Sequence, residues 1–180
     1  MTPVKLSTLT DRLIKAAKNA GADAADAMVA EGTSISIDVR AGALEHAEMS
    51  EGIDIGLRVF VGPKQANVSA SDISDRTIDE MAIRAVAMAR EAPDDPFAGL
   101  ADPAELACNW DIDALELCDN TPEPTAEALQ QDACAAEAAA LEVRGVAQVQ
   151  QASGGYSAHR IWLAASNGFS GGYRRTDRGI

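Results

Sequence analysis

The chain reads as an α+β protein: an antiparallel-rich sheet, a meander plus a later hairpin, with about three helices packed on it. Two observations predict this. Segments 6–19 and 75–91 set their apolar residues on one helical stripe, and 125–143 is an alanine-rich run with a helix-capping residue at its start. Between the helices, apolar residues alternate with a period of two, and these strand-like stretches come in clusters. A parallel sheet would need strands alternating regularly with helices.

In chain order, Leu6, Leu9, Leu13, Ala16, Ala17 and Ala20 form the stripe of the first helix, with Ile14 at its edge. Ser7 or Thr10 is available as its cap, and Gly21 is placed to end it. Lys15 and Lys18 lie towards the C-terminal end, where the helix dipole favours positive charge. Residues 26–31 and 34–40 read as one long strand or two, with Gly32 marking a bulge or bend. Ala41-Gly42 is a turn, and Ala43–Ser50 is a polar strand placed near an edge.

The strongest pattern follows. Ile53, Ile55, Leu57, Val59 and Val61 alternate with Asp54, Gly56, Arg58 and Phe60, as in a strand with one buried face. Gly62-Pro63-Lys64-Gln65 supplies a turn, and Ala66–Ser71 returns with small side chains. Ser71–Asp75 is rich in capping groups, and Thr77 with Glu80 fits a capping box if the second helix begins late. Ile78, Met81, Ala82, Ala85, Met88 and Ala89 share one face of that helix, which ends before Pro93.

The expected organisation is a helix, strand meander and helix over 1–92, a proline- and aspartate-rich connection over 93–124, and a helix plus strands over 125–180. Short helical turns are expected at Pro103–Ala107 and Asp113–Cys118. The third helix runs from its Thr125 cap to Val143. Val146–Ser153 and Ala158–Ser166 read as a hairpin around Gly154-Gly155. Ser166-Asn167-Gly168 is a turn, Phe169–Thr176 opens a further strand, and the pattern breaks off at Ile180 as in a piece of a longer polypeptide.

Composition narrows the function. In 180 residues, 15 basic side chains face 28 acidic ones for a net charge of −13, without a basic run. Nucleic-acid binding depends on Lys and Arg neutralising phosphates and is disfavoured. Aromatic content of 4% argues against a large aromatic platform. Cys108, Cys118 and Cys134 make an odd set with no C-x-x-C, which argues against a disulfide framework or a zinc site; the first two read as semi-buried thiols. The stretch 1–15 has no apolar core of signal-peptide type and no apolar run approaches the roughly 20 residues of a transmembrane helix, so a reducing cytoplasm is the expected compartment.

No catalytic, cofactor-binding or metal-binding residue emerges. A zinc peptidase needs about three protein ligands and a carboxylate to take the proton of water. His46 and His159 are the only histidines, neither has a partner at helical spacing, and no His-Glu dipeptide occurs. Asp94-Asp95, Asp111 with Asp113, and Asp119-Asn120 lack the twelve-residue frame of a calcium loop. The Ser-Gly-Gly stretches at 153–155 and 170–172 lack the lysine of a phosphate loop and read as turns.

Several segments together carry a specific likeness. They are Gly21-Ala22-Asp23-Ala24, Gly52 to Gly62, Ala70-Ser71-Asp72-Ile73-Ser74, Asp95-Pro96-Phe97-Ala98-Gly99-Leu100-Ala101-Asp102-Pro103 and Ser166-Asn167-Gly168-Phe169-Ser170-Gly171-Gly172-Tyr173. In this order the chain resembles the N-terminal part of a PmbA/TldE-type protein of the TldD/PmbA family, whose older name is modulator of DNA gyrase. That resemblance implies a cytoplasmic, metallopeptidase-related protein. TldD-like members carry a His-Glu-x-x-x-His zinc motif later in their chains; PmbA-like members generally lack it and pair with a TldD-like subunit to process peptides or small unfolded proteins. The motif matches no position here, so no catalytic residue carries over.

The implied function is a non-catalytic part of such a subunit, with a TldD-like partner or a homo-oligomer, a peptide substrate, and zinc only in the partner or in a later part of the chain. The alternatives are the start of a complete TldD-like metallopeptidase and a purely structural dimerisation module. Peptide binding by strand addition has two candidate edges, Ala43–Ser50 and Ala66–Ser71. The competing reading is that both edges are paired internally or covered, because exposed edges are normally protected.

Overall fold

A computed structural model describes residues 5–109 and 111–180; Trp110, within the long connection, lies outside them. The elements run α1 (Leu6–Asn19), β1 (Ala24–Arg40), β2 (Ala43–Val61), β3 (Lys64–Ala70), α2 (Asp75–Glu91), α3 (Ala126–Leu141), β4 (Ala152–Ala165) and β5 (Ser170–Gly179). Short 3-10 turns occupy Pro103–Glu105 and Asp113–Leu115 in the connection. The strands form one antiparallel sheet in the order β3-β2-β1-β4-β5. The fold is therefore α+β, with β1, β2 and β3 as a meander and β4 with β5 as a later hairpin beside β1.

Contacts divide the chain into two compact units. The first comprises Met1–Glu31, Ile53–Asp111 and Arg160–Tyr173. Its core joins the α1 stripe (Leu6, Leu9, Leu13, Ala17) and the α2 stripe (Ile78, Met81, Ala85, Ala89) to Ile55, Leu57 and Val59 of β2. Fully burying a leucine contributes roughly 1.5–3 kcal/mol, so these interlocked stripes are the main stabilising feature of this unit. The alternation in β2 holds except at Phe60, which is buried on the opposite face with the Arg58 guanidinium 5.2 Å from its ring centre. β3 pairs with β2 from Ile55↔Ala70 to Val61↔Lys64, which shortens the expected turn to Gly62-Pro63.

Helix ends correct two expectations. Neither Ser7 nor Thr10 caps α1: the helix starts at Leu6 after Lys5, so both lie inside it, and the Thr10 hydroxyl donates to the Ser7 carbonyl. In α2 the cap is Ser74, whose hydroxyl accepts from the Thr77 amide. Glu80, expected in a capping box, instead pairs with Arg76 one turn away. The end of α1 follows the sequence, with Gly21 at φ 99°, the Gly21 amide on the Lys18 carbonyl and the Ala22 amide on the Ala17 carbonyl.

The second unit comprises Gly32–Gly52, Ile112–His159 and Arg174–Ile180. Its core is smaller: Leu129 and Ala133 of α3 pack on Ile37 and Val39 of β1, with Ile35, Cys134, Ala152 and Tyr156 around them. Thr125 caps α3 through the Ala128 amide, and the helix ends at Leu141, short of the expected Val143.

The hairpin expected around Gly154-Gly155 is not formed. Both glycines lie inside β4, and residues 146–151 are not strand. Gly154 is required by packing: a Cβ there would sit 2.4 Å from the Leu129 carbonyl oxygen. The later hairpin is β4–β5, turning at Ser166–Phe169. Gly32 likewise lies within a continuous β1, where a Cβ would fall 2.1 Å from His159 Nδ1 of β4. There the missing side chain makes room for an imidazole.

Candidate functional site

The most unusual surface in the second unit is the part of β2 from Ala43 to Gly52. It begins at the turn Ala41-Gly42, where φ is 52° and 73°. A left-handed alanine is uncommon, and Glu137 of α3 holds it in place. The buried Glu137 carboxylate accepts from the Ala41 amide at 2.7 Å and the Gly42 amide at 2.8 Å. Glu137 falls on the same helical stripe as Leu129 and Ala133, four residues apart each time, which is the signal that could have marked it as buried.

Beyond the turn, every residue of 43–52 is exposed on both faces of the strand. On one side β2 neighbours β1. On the other, β3 accompanies β2 only from Ile55 onward. Among the described residues no strand lies along the outer edge of 43–52, so its outward amides and carbonyls meet solvent. Leu44 and Met49 are 50% and 66% exposed. Glu45 pairs with Arg40 at 3.6 Å and Glu48 with His46 at 3.7 Å, both in solvent. Beside this strand, Asp38 of β1 accepts side-chain hydrogen bonds from Ser153 and Gln151, which hold its carboxyl below the usual range, with His46 adding a smaller attraction. The edge expected at Ala43–Ser50 is thus open over 43–52. The other expected edge, β3, is a true sheet edge, with Ala66, Val68 and Ala70 half-buried against the core of the first unit.

The remaining polar candidates stay apart. His46 is exposed beside Glu48, whereas the His159 ring packs on Gly32. Cys108 is exposed, which corrects the semi-buried expectation, and Cys118 is half-buried. Asp95 and Asp119 serve their own turns: Asp95 accepts from the Phe97 amide and Asp119 from the Thr121 amide and hydroxyl. Those bonds hold the Asp119 carboxyl below its usual range. Among the described residues no group of three or more His, Cys, Asp or Glu side chains is placed to hold a metal ion. This donor set does not fit a zinc peptidase centre. No described helix is long and apolar enough to cross a membrane.

Open clefts among the described residues include one in each unit. In the second unit, about 1000 Å³ lies among Asp113, Glu116, Cys118, Asp119 and Arg174. In the first, about 530 Å³ lies between Ile14, Lys15 and Lys18 of α1 and Phe169 of the β4–β5 turn. In the larger cleft the Cys118 thiol donates to the Asp119 main-chain carbonyl and not to a side-chain base.

Comparison with known proteins gives this architecture relatives. Residues 25–89 match the family described as PmbA/TldA metallopeptidase domain 1. The chain is 31% identical over 121 residues to the metalloprotease PmbA of Escherichia coli O157:H7, covering 67% of this chain and 26% of that one. It is 31% identical over 104 residues to the metalloprotease PmbA homolog of Haemophilus influenzae, covering 58% and 22%. The chain therefore spans about a quarter of the length of these curated relatives. Among solved structures, TldE from Thermococcus kodakarensis superposes with a TM-score of 0.73 at 17% identity, covering 93% of this chain and 37% of that one. A candidate modulator of DNA gyrase from Bacteroides thetaiotaomicron gives 0.75 at 19%, covering 98% and 40%. At such identities these two likenesses speak for the fold. The family match at 25–89, the PmbA relatives and the shared fold together place the chain in the PmbA/TldD family, as a protein of the PmbA/TldE type.

Proposed function

We propose that the chain is a non-catalytic, peptide-handling part of a PmbA/TldE-like subunit, which assembles in the cytoplasm with a TldD-like zinc metallopeptidase to bind and process peptides or small unfolded proteins. The observation that carries this reading is the open outer edge of β2 over 43–52. An extended peptide can add there as a further strand. Main-chain hydrogen bonds then supply an affinity common to any extended sequence, and the side chains along the edge add any preference. The family's metallopeptidase name supports the wider assignment, with the zinc chemistry supplied by a partner or by residues outside this chain.

The test is photo-crosslinking with a benzophenone-bearing extended peptide on the full chain, mapped by mass spectrometry. Crosslinks are expected at 43–52. Crosslinks confined to other segments would reject the edge, and none at all would leave a structural role. Elemental analysis is expected to find much less than one zinc per chain; a tightly held stoichiometric zinc overturns the non-catalytic assignment.

A further inference from the structure

The open edge is not chemically neutral. Glu45, Glu48 and Glu51 recur every third residue along it, with Leu44 exposed just before them and Met49 exposed among them. Side chains alternate across a strand, so Glu45, Met49 and Glu51 share one face while Leu44 and Glu48 share the other. Cross-strand neighbours on one face lie about 4.5–5.5 Å apart at Cβ. Opposite charges there attract, and like charges directly opposite repel.

That pattern discriminates between occupants. A second copy pairing antiparallel about Glu48 would set Glu48 against its own counterpart and Glu45 against Glu51. An in-register parallel copy would stack each glutamate on itself. Both arrangements place like charges opposite one another. A strand with Lys or Arg at i, i+3 and i+6 instead meets every glutamate. Run antiparallel, its i+2 and i+7 positions face Met49 and Leu44. The ion pairs already present, Glu45 with Arg40 and Glu48 with His46, are long and solvent-exposed, so they compete weakly.

We propose that the β2 edge over 43–52 selects extended, cationic peptide segments with Lys or Arg at every third position, and that the same glutamates keep copies of this chain from pairing through it. This rests on the strand-addition reading above and names its substrate class.

The probe is a labelled octapeptide, Lys-Thr-Val-Lys-Thr-Thr-Lys-Val, titrated with the full chain by fluorescence anisotropy at low salt. Its counterpart carries Gln in place of each Lys. Three cross-strand charge pairs predict that the lysine peptide binds about tenfold more tightly than the glutamine peptide. The preference is expected to vanish in the E45Q/E48Q/E51Q variant, and that variant is expected to self-associate more readily in sedimentation. Equal binding of the two peptides, or a lysine preference that survives in the variant, overturns the charge selection. Lysine peptides N-methylated at alternate residues, in each of the two phases, separate the layers. One phase is expected to lose binding. If neither does, strand addition itself is wrong; if one does while the lysine and glutamine peptides bind alike, strand addition stands and only the selection fails.

Discussion

Glu137 shows how a single side chain can decide a local backbone. Its carboxylate satisfies the amides of Ala41 and Gly42 at the point where β1 turns into β2. Glu137→Ala removes two charge-assisted hydrogen bonds, each contributing about 1.5–3 kcal/mol, of which water returns a part at the exposed turn. A loss of about 2–4 kcal/mol is expected in urea unfolding, with the resonances of 41–44 shifted most. Gly154 and Gly155 make a sharper pair. Gly154→Ala drives a Cβ into the Leu129 carbonyl and is expected to cost about 1–3 kcal/mol. Gly155→Ala meets only the Ile35 carbonyl at 3.7 Å, an ordinary contact, and is expected to be neutral or mildly stabilising. Equal losses at both positions in thermal unfolding would contradict the packing account. The sequence showed two adjacent glycines and suggested a turn, because nothing local reveals that a helix backbone passes over the first of them.

At the scale of elements, the helices were the most legible. The limits of α1 and α2 coincide with the read stripes because their apolar spacing, Gly21 and Pro93 are local signals. Ser74→Ala removes the cap of α2 and is expected to cost about 1 kcal/mol. Strand limits were less legible: β1 and β2 run to 17 and 19 residues. Ala43–Ser50 was legible as a polar strand near an edge, but with no buried face over 43–52 there is no burial alternation to show that it continues unbroken into Ile53–Val61. Its strand state comes from backbone pairing with β1, which no single segment encodes. The same absence of burial marks it as the candidate site.

For the whole molecule, the acidic surface sets the response to pH. Asp72 is held below its ordinary range by hydrogen bonds from the Thr77 hydroxyl and from the amide and hydroxyl of Ser74. Asp119 is lowered through Thr121, Asp38 through Ser153 and Gln151, and Glu127 through its own amide and Thr125. Each carboxyl binds its proton less readily folded than unfolded. Its contribution is therefore complete above the unfolded value, about 4, and is lost as pH falls through the lower folded value. Stability is expected to hold from pH 7 to about 5 and to fall below about 4. Asp72→Asn should make that decline shallower; a decline of unchanged steepness would remove Asp72 from the account.

The open edge of β2 also carries a rhythm in time. Along 43–52 successive amides point alternately towards β1 and towards water. Hydrogen–deuterium exchange followed by NMR should therefore show a two-beat pattern, with every second amide exchanging at nearly the rate of a free peptide and those between protected by pairing with β1. Between Ile55 and Val61, where β3 lies alongside, the fast beat should disappear. A strand added at 43–52 would silence it there as well, so the edge reports its own occupancy without a label.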